Sequence, residues 1–250
     1  VNLKRSLRKR RETIRRLWGK ARGKRIVHHL HIGKTGGTSL KEVLNRCPST
    51  PCCEIFTHEH GVHLSHIPPG EKVVFFLRDP ISRFVSGFYG RQREDRPRYY
   101  APWSEGEARA FARFPTANEL AEGLDSEDPS LREAAEDAMR SIAHVRKPMW
   151  EWIGDEEYFL ERIDDVLFVG FQEQYDEEFE RLRKLLGIPK KYAPPKDEVR
   201  SHRNPTNIDR HLSDRAVHNL RQWYRRDYEL MEFIRREIRN RGIGRMEQRT

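Results

Sequence analysis

Of the 250 residues only three are cysteines, Cys47, Cys52 and Cys53. That is too few for a disulfide framework, and no histidine pair stands at a zinc-ligand distance from them. Incidental or structural thiols are expected, and no metal site. Long apolar runs are missing as well. The longest stretches, such as VVFFL at 73–77, are far too short to cross a bilayer, and no signal-peptide pattern opens the chain. As it stands the chain is expected in the cytoplasm or at a membrane periphery. The first residue is Val1, so an upstream anchor, and with it a lumenal location, stays open. Internal repeats are absent too, which excludes solenoids and arrays.

What is abundant is charge, and it is uneven. The formal net charge is +9, yet residues 1–25 carry twelve Lys or Arg against one acid. The remainder is close to neutral, so the basic character belongs to an arm and not to the body. Leu3, Leu7, Ile14, Leu17 and Trp18 fall at near-helical spacing in that arm, which predicts a basic amphipathic helix. It is suited to an anionic membrane or a polyanion; the alternative is a solvated helix packed by its few apolar residues.

Further along, strands and helices alternate. Residues 25–32 read as a buried strand, 72–77 as a second and 165–170 as a third. Thr38 or Ser39 is placed to cap a helix through Leu40, Val43 and Leu44. Another helix should start at Pro80 with Asp79 as its cap. The stretch 91–154 reads as short helices broken near Pro97, Pro102, Pro115 and Pro129. An amphipathic helix is expected over 174–186 and one long helix from Leu212 to Ile234. This pattern predicts an α/β fold, a parallel sheet flanked by helices in a single domain.

The stretch HIGKTGGTSLK at 31–41 follows the first strand. A strand, a glycine loop and a helix present backbone N–H groups and a helix N-terminus to an anion. Gly36 and Gly37 let the backbone approach its oxygens, Thr35, Thr38 and Ser39 add hydroxyls, and Lys34 adds a full charge. Gly33-Lys34-Thr35 matches the end of a nucleotide P-loop, but the opening glycine would stand at His28, inside the strand. The order is wrong for a kinase. A second motif, FLRDPISRFVSGFY at 76–89, puts Arg78 at a strand end and Ser86 two turns into the next helix. A guanidinium fork and a hydroxyl so placed suit a second phosphate. Two phosphate cradles on adjacent strand ends fit a nucleotide phosphorylated at both 5′ and 3′ positions.

In these two motifs the chain resembles the sulfotransferases that use 3′-phosphoadenosine 5′-phosphosulfate (PAPS), above all the carbohydrate branch with the heparan 2-O- and 6-O-sulfotransferases and their bacterial relatives. The resemblance runs through residues 26–235 and implies a P-loop-like sulfotransferase domain over 26–250 behind the basic arm 1–25. It implies that Lys34, Thr35, Gly36, Gly37, Thr38 and Ser39 bind the 5′-phosphosulfate, and Arg78 and Ser86 the 3′-phosphate, with PAP as product. Arg83 is a weaker candidate.

Sulfuryl transfer needs in-line positioning, charge stabilisation on the leaving phosphate and a group to take the hydroxyl proton. Lys34 would steady the leaving oxygens. The base is expected in THEHGVH at 57–63, where histidine's pKa suits the task. The resemblance places it at His58, with His60 the close rival and Glu54 and Glu59 behind them; His28, His29, His31, His63 and His66 read as structural or surface residues. The loop with Arg200, Arg203 and Asn207 could close over the ligand. Cations there, in the arm and at Arg235, Arg236 and Arg239 would favour an anionic acceptor such as an acidic polysaccharide, and could equally face an anionic membrane or keep the protein soluble. A hydroxyl-bearing acceptor, a glycan first, is expected, and no specific nucleic acid. A nucleotide kinase and a non-enzymatic polyanion-binding protein are the rival readings.

Overall fold

A computed structural model describes residues 2–97, 99–194 and 208–244 of the chain. In chain order the main elements are α1 (Asn2–Ala21), β1 (Arg25–His29), α2 (Gly37–Arg46), β2 (Cys53–Thr57), β3 (Lys72–Leu77), α3 (Pro80–Gln92), α4 (Glu105–Arg113), α5 (Ala117–Gly123), α6 (Pro129–Ser141), α7 (Trp150–Ile153), α8 (Glu156–Glu161), β4 (Val166–Phe171), α9 (Tyr175–Leu185), α10 (Asp214–Trp223) and α11 (Arg225–Arg241). The four strands form one parallel sheet in the order β2-β1-β3-β4. Because β2 and β3 lie on opposite sides of β1, the chain reverses direction across the sheet between β1 and β3. A crevice opens at the carboxyl ends of such a strand pair, and ligands of open α/β sheets bind there.

Alternation along the strands sends side chains to two faces. Val27, Ile55, Val74, Phe76 and Phe168 pack with Leu40, Val43 and Leu44 of α2 and Phe179 and Leu182 of α9. Val73, Phe75 and Val169 face the other way, onto Trp152 and Ile153 of α7, Phe159 of α8 and Leu230, Met231 and Ile234 of α11. A third cluster, with no strand in it, joins Phe84 and Phe88 of α3 to α4, α5, α6 and α10. Trimming one of these fully buried side chains, Leu40→Ala for example, removes about 2–5 kcal/mol.

α1 completes the layer over β1 and β2, but with its polar side inward. Arg16 and Lys20 pair with the buried Glu71 carboxylate at 2.8 and 2.7 Å, and the Arg15 guanidinium lies 3.9 Å over the Phe56 ring. Ile14, Leu17 and Trp18 are 56–61% exposed. The expected helix is therefore present, while packing by Ile14, Leu17 and Trp18 is not: the surface beneath carries His28, Glu54 and Glu71, and cations match it.

Three other expectations change. β2 was missed, since a charged residue in CEIFT hides a strand whose Glu54 is buried beside Lys24, 3.0 Å away. The first strand ends at His29, three residues early. The C-terminal helix breaks at Tyr224, which is buried and donates its hydroxyl to the Val145 carbonyl at 3.3 Å. The cap at Asp79 is found: its Oδ1 accepts the Ser82 N–H at 2.7 Å, with Pro80 in the first turn.

Candidate active site

The crevice at the β1 and β3 ends is a cleft of about 1710 Å³. Its lining brings the two motifs together: Lys34, Gly36, Gly37, Thr38 and Ser39 from the first, Arg78 and Ser86 from the second. Neither Thr38 nor Ser39 caps α2. The cap position is Gly36, at φ 83, and no side chain bonds there. This left-handed geometry suits glycine, and it leaves the first N–H groups of α2 without a side-chain cap. Gly37 is required for a different reason, since a Cβ there would sit 2.2 Å from the His31 ring.

Two arginines fix the loop. Arg83 is fully buried and donates from Nε to the Gly33 carbonyl at 2.9 Å and from Nη2 to the Lys147 carbonyl at 2.6 Å. Arg78 donates from Nη1 to the Lys34 carbonyl at 3.2 Å and from Nε to Ser82 Oγ at 2.9 Å. In a trans peptide the N–H opposes the C=O, so holding these carbonyls turns the N–H groups of Lys34 and Thr35 to the other side. Arg83 is thus a strut for the loop. Thr35 differs from its neighbours: its hydroxyl donates to the Ile32 carbonyl at 3.0 Å and the residue is buried outside the cleft lining.

Lys34 Nζ is buried and has no hydrogen-bond partner among the described residues. Burial lowers its pKa to about 8, against the pull of Asp95 and with help from Arg78, Arg93 and Arg83. Burial also lowers Arg78 to about 10. Both stay cationic at neutral pH, and among the described residues Lys34 has no direct counter-ion. A buried ammonium in that state is costly, and an anionic ligand would offset the cost.

The two candidate histidines have separated. His58 Nε2 meets His28 Nδ1 at 2.8 Å, and His28 Nε2 meets Glu71 Oε2 at 2.7 Å, so His58 belongs to a network under α1 and lies outside the cleft lining. His60 lines the cleft, its ring 3.9 Å from that of His31. Its Nδ1 donates to the His31 carbonyl at 3.2 Å, which fixes the tautomer and leaves Nε2 as the acceptor. Burial lowers its pKa, so the ring is neutral near pH 7. Glu59 is in the lining beside Lys41, whereas Glu54, His63 and His66 are not. Arg235, Arg236 and Arg239 lie on α11, away from the cleft. The loop with Arg200, Arg203 and Asn207 lies outside the described residues. Among the described residues no group of three His, Cys, Asp or Glu could hold a metal, all three cysteines are free thiols, and no helix is long and apolar enough to cross a membrane.

The family model described as "Sulfotransferase family" matches residues 22–233. The chain belongs to the sulfotransferase family. No curated protein gives a match. As a sulfotransferase it is an enzyme that moves a sulfuryl group, in a family whose members generally take that group from PAPS, and it acts on a hydroxyl-bearing acceptor. Its four-stranded parallel sheet flanked by helices agrees with that family's fold.

Among the residues of this sulfotransferase's cleft that the motifs do not reveal is one hydrogen-bonded pair. His144, in the turn after α6, points Nε2 at Asp95 Oδ1, 3.1 Å away, and both line the cleft with Lys34 and His60. Neither sits in a motif: Asp95 reads as one charge in a charged loop, and His144 follows His60 by more than eighty residues. Only the packing of α6 against α4 brings the pair to the site.

Proposed function

We propose that this enzyme binds PAPS in the cleft and transfers its sulfuryl group to a carbohydrate hydroxyl, with His60 as the base. The observation that carries this is the Lys34 ammonium, which has no hydrogen-bond partner among the described residues and belongs to a residue lining the same cleft as Gly36, Gly37, Thr38, Ser39, Arg78 and Ser86. The donor supplies an activated sulfuryl group on a phosphate leaving group. Lys34 and the N–H groups at the start of α2 stabilise negative charge on the phosphosulfate end, and Arg78 with Ser86 receives the 3′-phosphate. His60 Nε2 takes the acceptor's proton, since its Nδ1–H is already committed to a carbonyl. Thr35 acts through its backbone. His58, the first choice from the sequence, orients the network beneath α1.

The glycan reading rests on the resemblance of both motifs to the carbohydrate branch. The cleft has room for a large acceptor, while Lys41, Arg46 and Arg210 along it stand among carboxylates such as Glu42, Glu59 and Asp176, so the lining does not by itself select an anionic polymer. Contact between the arm and a polyanion or anionic membrane falls to the outward face of α1, around Ile14, Leu17 and Trp18.

Thermal stability with adenosine 3′,5′-bisphosphate, beside ADP and ATP–magnesium, tests the donor site. A ligand selective for the folded state raises the melting temperature. Selective stabilisation by the bisphosphate, lost in Arg78→Ala, is expected. Stabilisation by ATP–magnesium alone would overturn the reading.

A further inference from the structure

Among the described non-glycine residues, three have a positive φ: Lys34 at 67°, Glu94 at 54° and Asp95 at 62°. Each such residue stores roughly 1–2 kcal/mol of backbone strain. Lys34 and Asp95 both line the cleft, so the strain is placed where the chemistry is.

Asp95 is held in that conformation by a closed ring of buried contacts. Its N–H donates to the Gly90 carbonyl at 2.9 Å, and its Oδ2 accepts from Arg91 Nη1 at 2.7 Å. Arg91 makes a two-point contact with Glu107, at 2.7 and 2.9 Å. Glu107 Oε1 accepts the Ala143 N–H at 3.1 Å, and the next residue, His144, returns to Asp95 Oδ1 at 3.1 Å. Arg91, Asp95 and Glu107 are all buried. The ring ties the end of α3 to α4 and to the turn after α6.

Lys34 lies against this ring at one point. A Cβ on Gly90 would be 2.8 Å from Lys34 Nζ and 3.6 Å from Asp95 Oδ1. The bare backbone of α3 is thus a notch in which ammonium and carboxylate lie side by side. Lys34 Nζ forms no hydrogen bond there, while Arg91 and His144 occupy the two Asp95 oxygens. Asp95 therefore acts on Lys34 by its charge without capping the ammonium that the donor needs.

We propose that Asp95 is a positioning residue of the transfer centre, acting through Lys34, which it keeps as a full ammonium in the Gly90 notch, and through His144, whose Nε2–H it orients. The inference rests on the reading of Lys34 as the lysine that meets the donor.

The charges around Lys34 make the need plain. Arg78 follows β3, Arg83 lies on α3 and Arg93 follows α3; His60 and His144 face it from the segments after β2 and α6. Burial and the three arginines lower the Lys34 pKa to about 8, and Asp95 is the leading charge in the opposite direction. Without Asp95 the Lys34 pKa falls further, and less of the lysine meets a phosphosulfate as a cation.

The test uses the whole chain labelled with 13C at lysine Cε. The Lys34 signal is assigned by its absence in Lys34→Arg, and its titration is followed by NMR in wild type, Asp95→Asn and Asp95→Glu. The wild-type midpoint is expected near 8. Asp95→Asn lowers it by about one pH unit or more, Asp95→Glu restores it, and the alkaline limb of kcat/KM moves with it. An unchanged midpoint in Asp95→Asn overturns the proposal. So does a wild-type midpoint near the ordinary lysine value of about 10.4, a result that needs no folded variant. A shifted midpoint in a chain that shows no PAPS-dependent transfer supports the Asp95–Lys34 coupling and removes the functional reading instead.

Discussion

Arg16 and Lys20 on α1 and Lys34 in the cleft are all cations held against the same sheet, in opposite circumstances. The α1 pair closes on one buried carboxylate, Glu71, at 2.8 and 2.7 Å, and His28 adds a third contact at 2.7 Å. The Lys34 ammonium is buried too, yet Asp95 is engaged by Arg91 and His144 and the ammonium has no hydrogen bond among the described residues. The first arrangement is complete as folded. The second, on the proposed reading, is completed by the donor. On that reading the difference separates cations that hold the structure from those that serve the reaction, and nothing in the residue types themselves reveals it.

The largest effect that would break this contrast is at Lys34. Lys34→Ala should keep its fold and lose about a thousandfold in kcat/KM, the scale for removing one donor to developing charge. A near-normal rate would place the reaction elsewhere. In the wild type the kcat/KM profile should fall above pH 8 as the free enzyme's Lys34 loses its proton. On the acid side the His60 pKa lies below its ordinary value. The base form therefore persists below neutrality, and the acid limb should come below about 6.5.

Next is the pair of histidines. His60→Gln should lower kcat about a hundredfold, with the melting temperature nearly unchanged. His58→Gln should do the reverse, because its ring serves the His28–Glu71 network. Steady-state kinetics beside thermal melts on both variants separates the two roles; equal loss of turnover would show that His58 also reaches the acceptor.

A smaller effect lies on the α1 side. Glu71→Ala should reduce stability by about 2 kcal/mol, read from denaturant unfolding, since it strands three cationic or polar partners of which Arg16 and Lys20 remain partly solvated. Burial alone would raise the Glu71 pKa, but bonds from Lys20, His28 and Arg16 outweigh it and hold the carboxyl below its usual range. The folded pKa is depressed, so this stabilisation is present above the ordinary glutamate pKa and disappears as pH falls through the folded value. In Glu71→Ala that part of the acid dependence should vanish. Smallest is Lys20→Ala, a half-exposed pair, expected to change stability by no more than about 0.5 kcal/mol, with turnover unaffected.

Much of the site was legible in the sequence because both motifs are local. Seven of the eight residues assigned to the donor line one cleft; Thr35 turns away because its hydroxyl finds the Ile32 carbonyl three residues back. Strand alternation and the Asp79–Pro80 cap were readable for the same reason. What escaped depends on distant partners. Glu54 makes CEIFT look like a loop until Lys24 and Ser49 meet it. Asp95 and His144 become a pair only when helices far apart in the chain pack together. The choice between His58 and His60, two residues apart, rests on which ring the Glu71 network captures.

One feature of the fold reaches beyond binding. The glycine loop and Arg78 extend from strands whose side chains fill the two sheet-facing cores, while Ser86 rides on α3, whose Phe84 and Phe88 anchor the separate helical core. On the proposed reading, a nucleotide held at both ends is a cross-brace between these clusters. Its binding should narrow the calorimetric unfolding transition as well as raise it, because the clusters it spans must then come apart together.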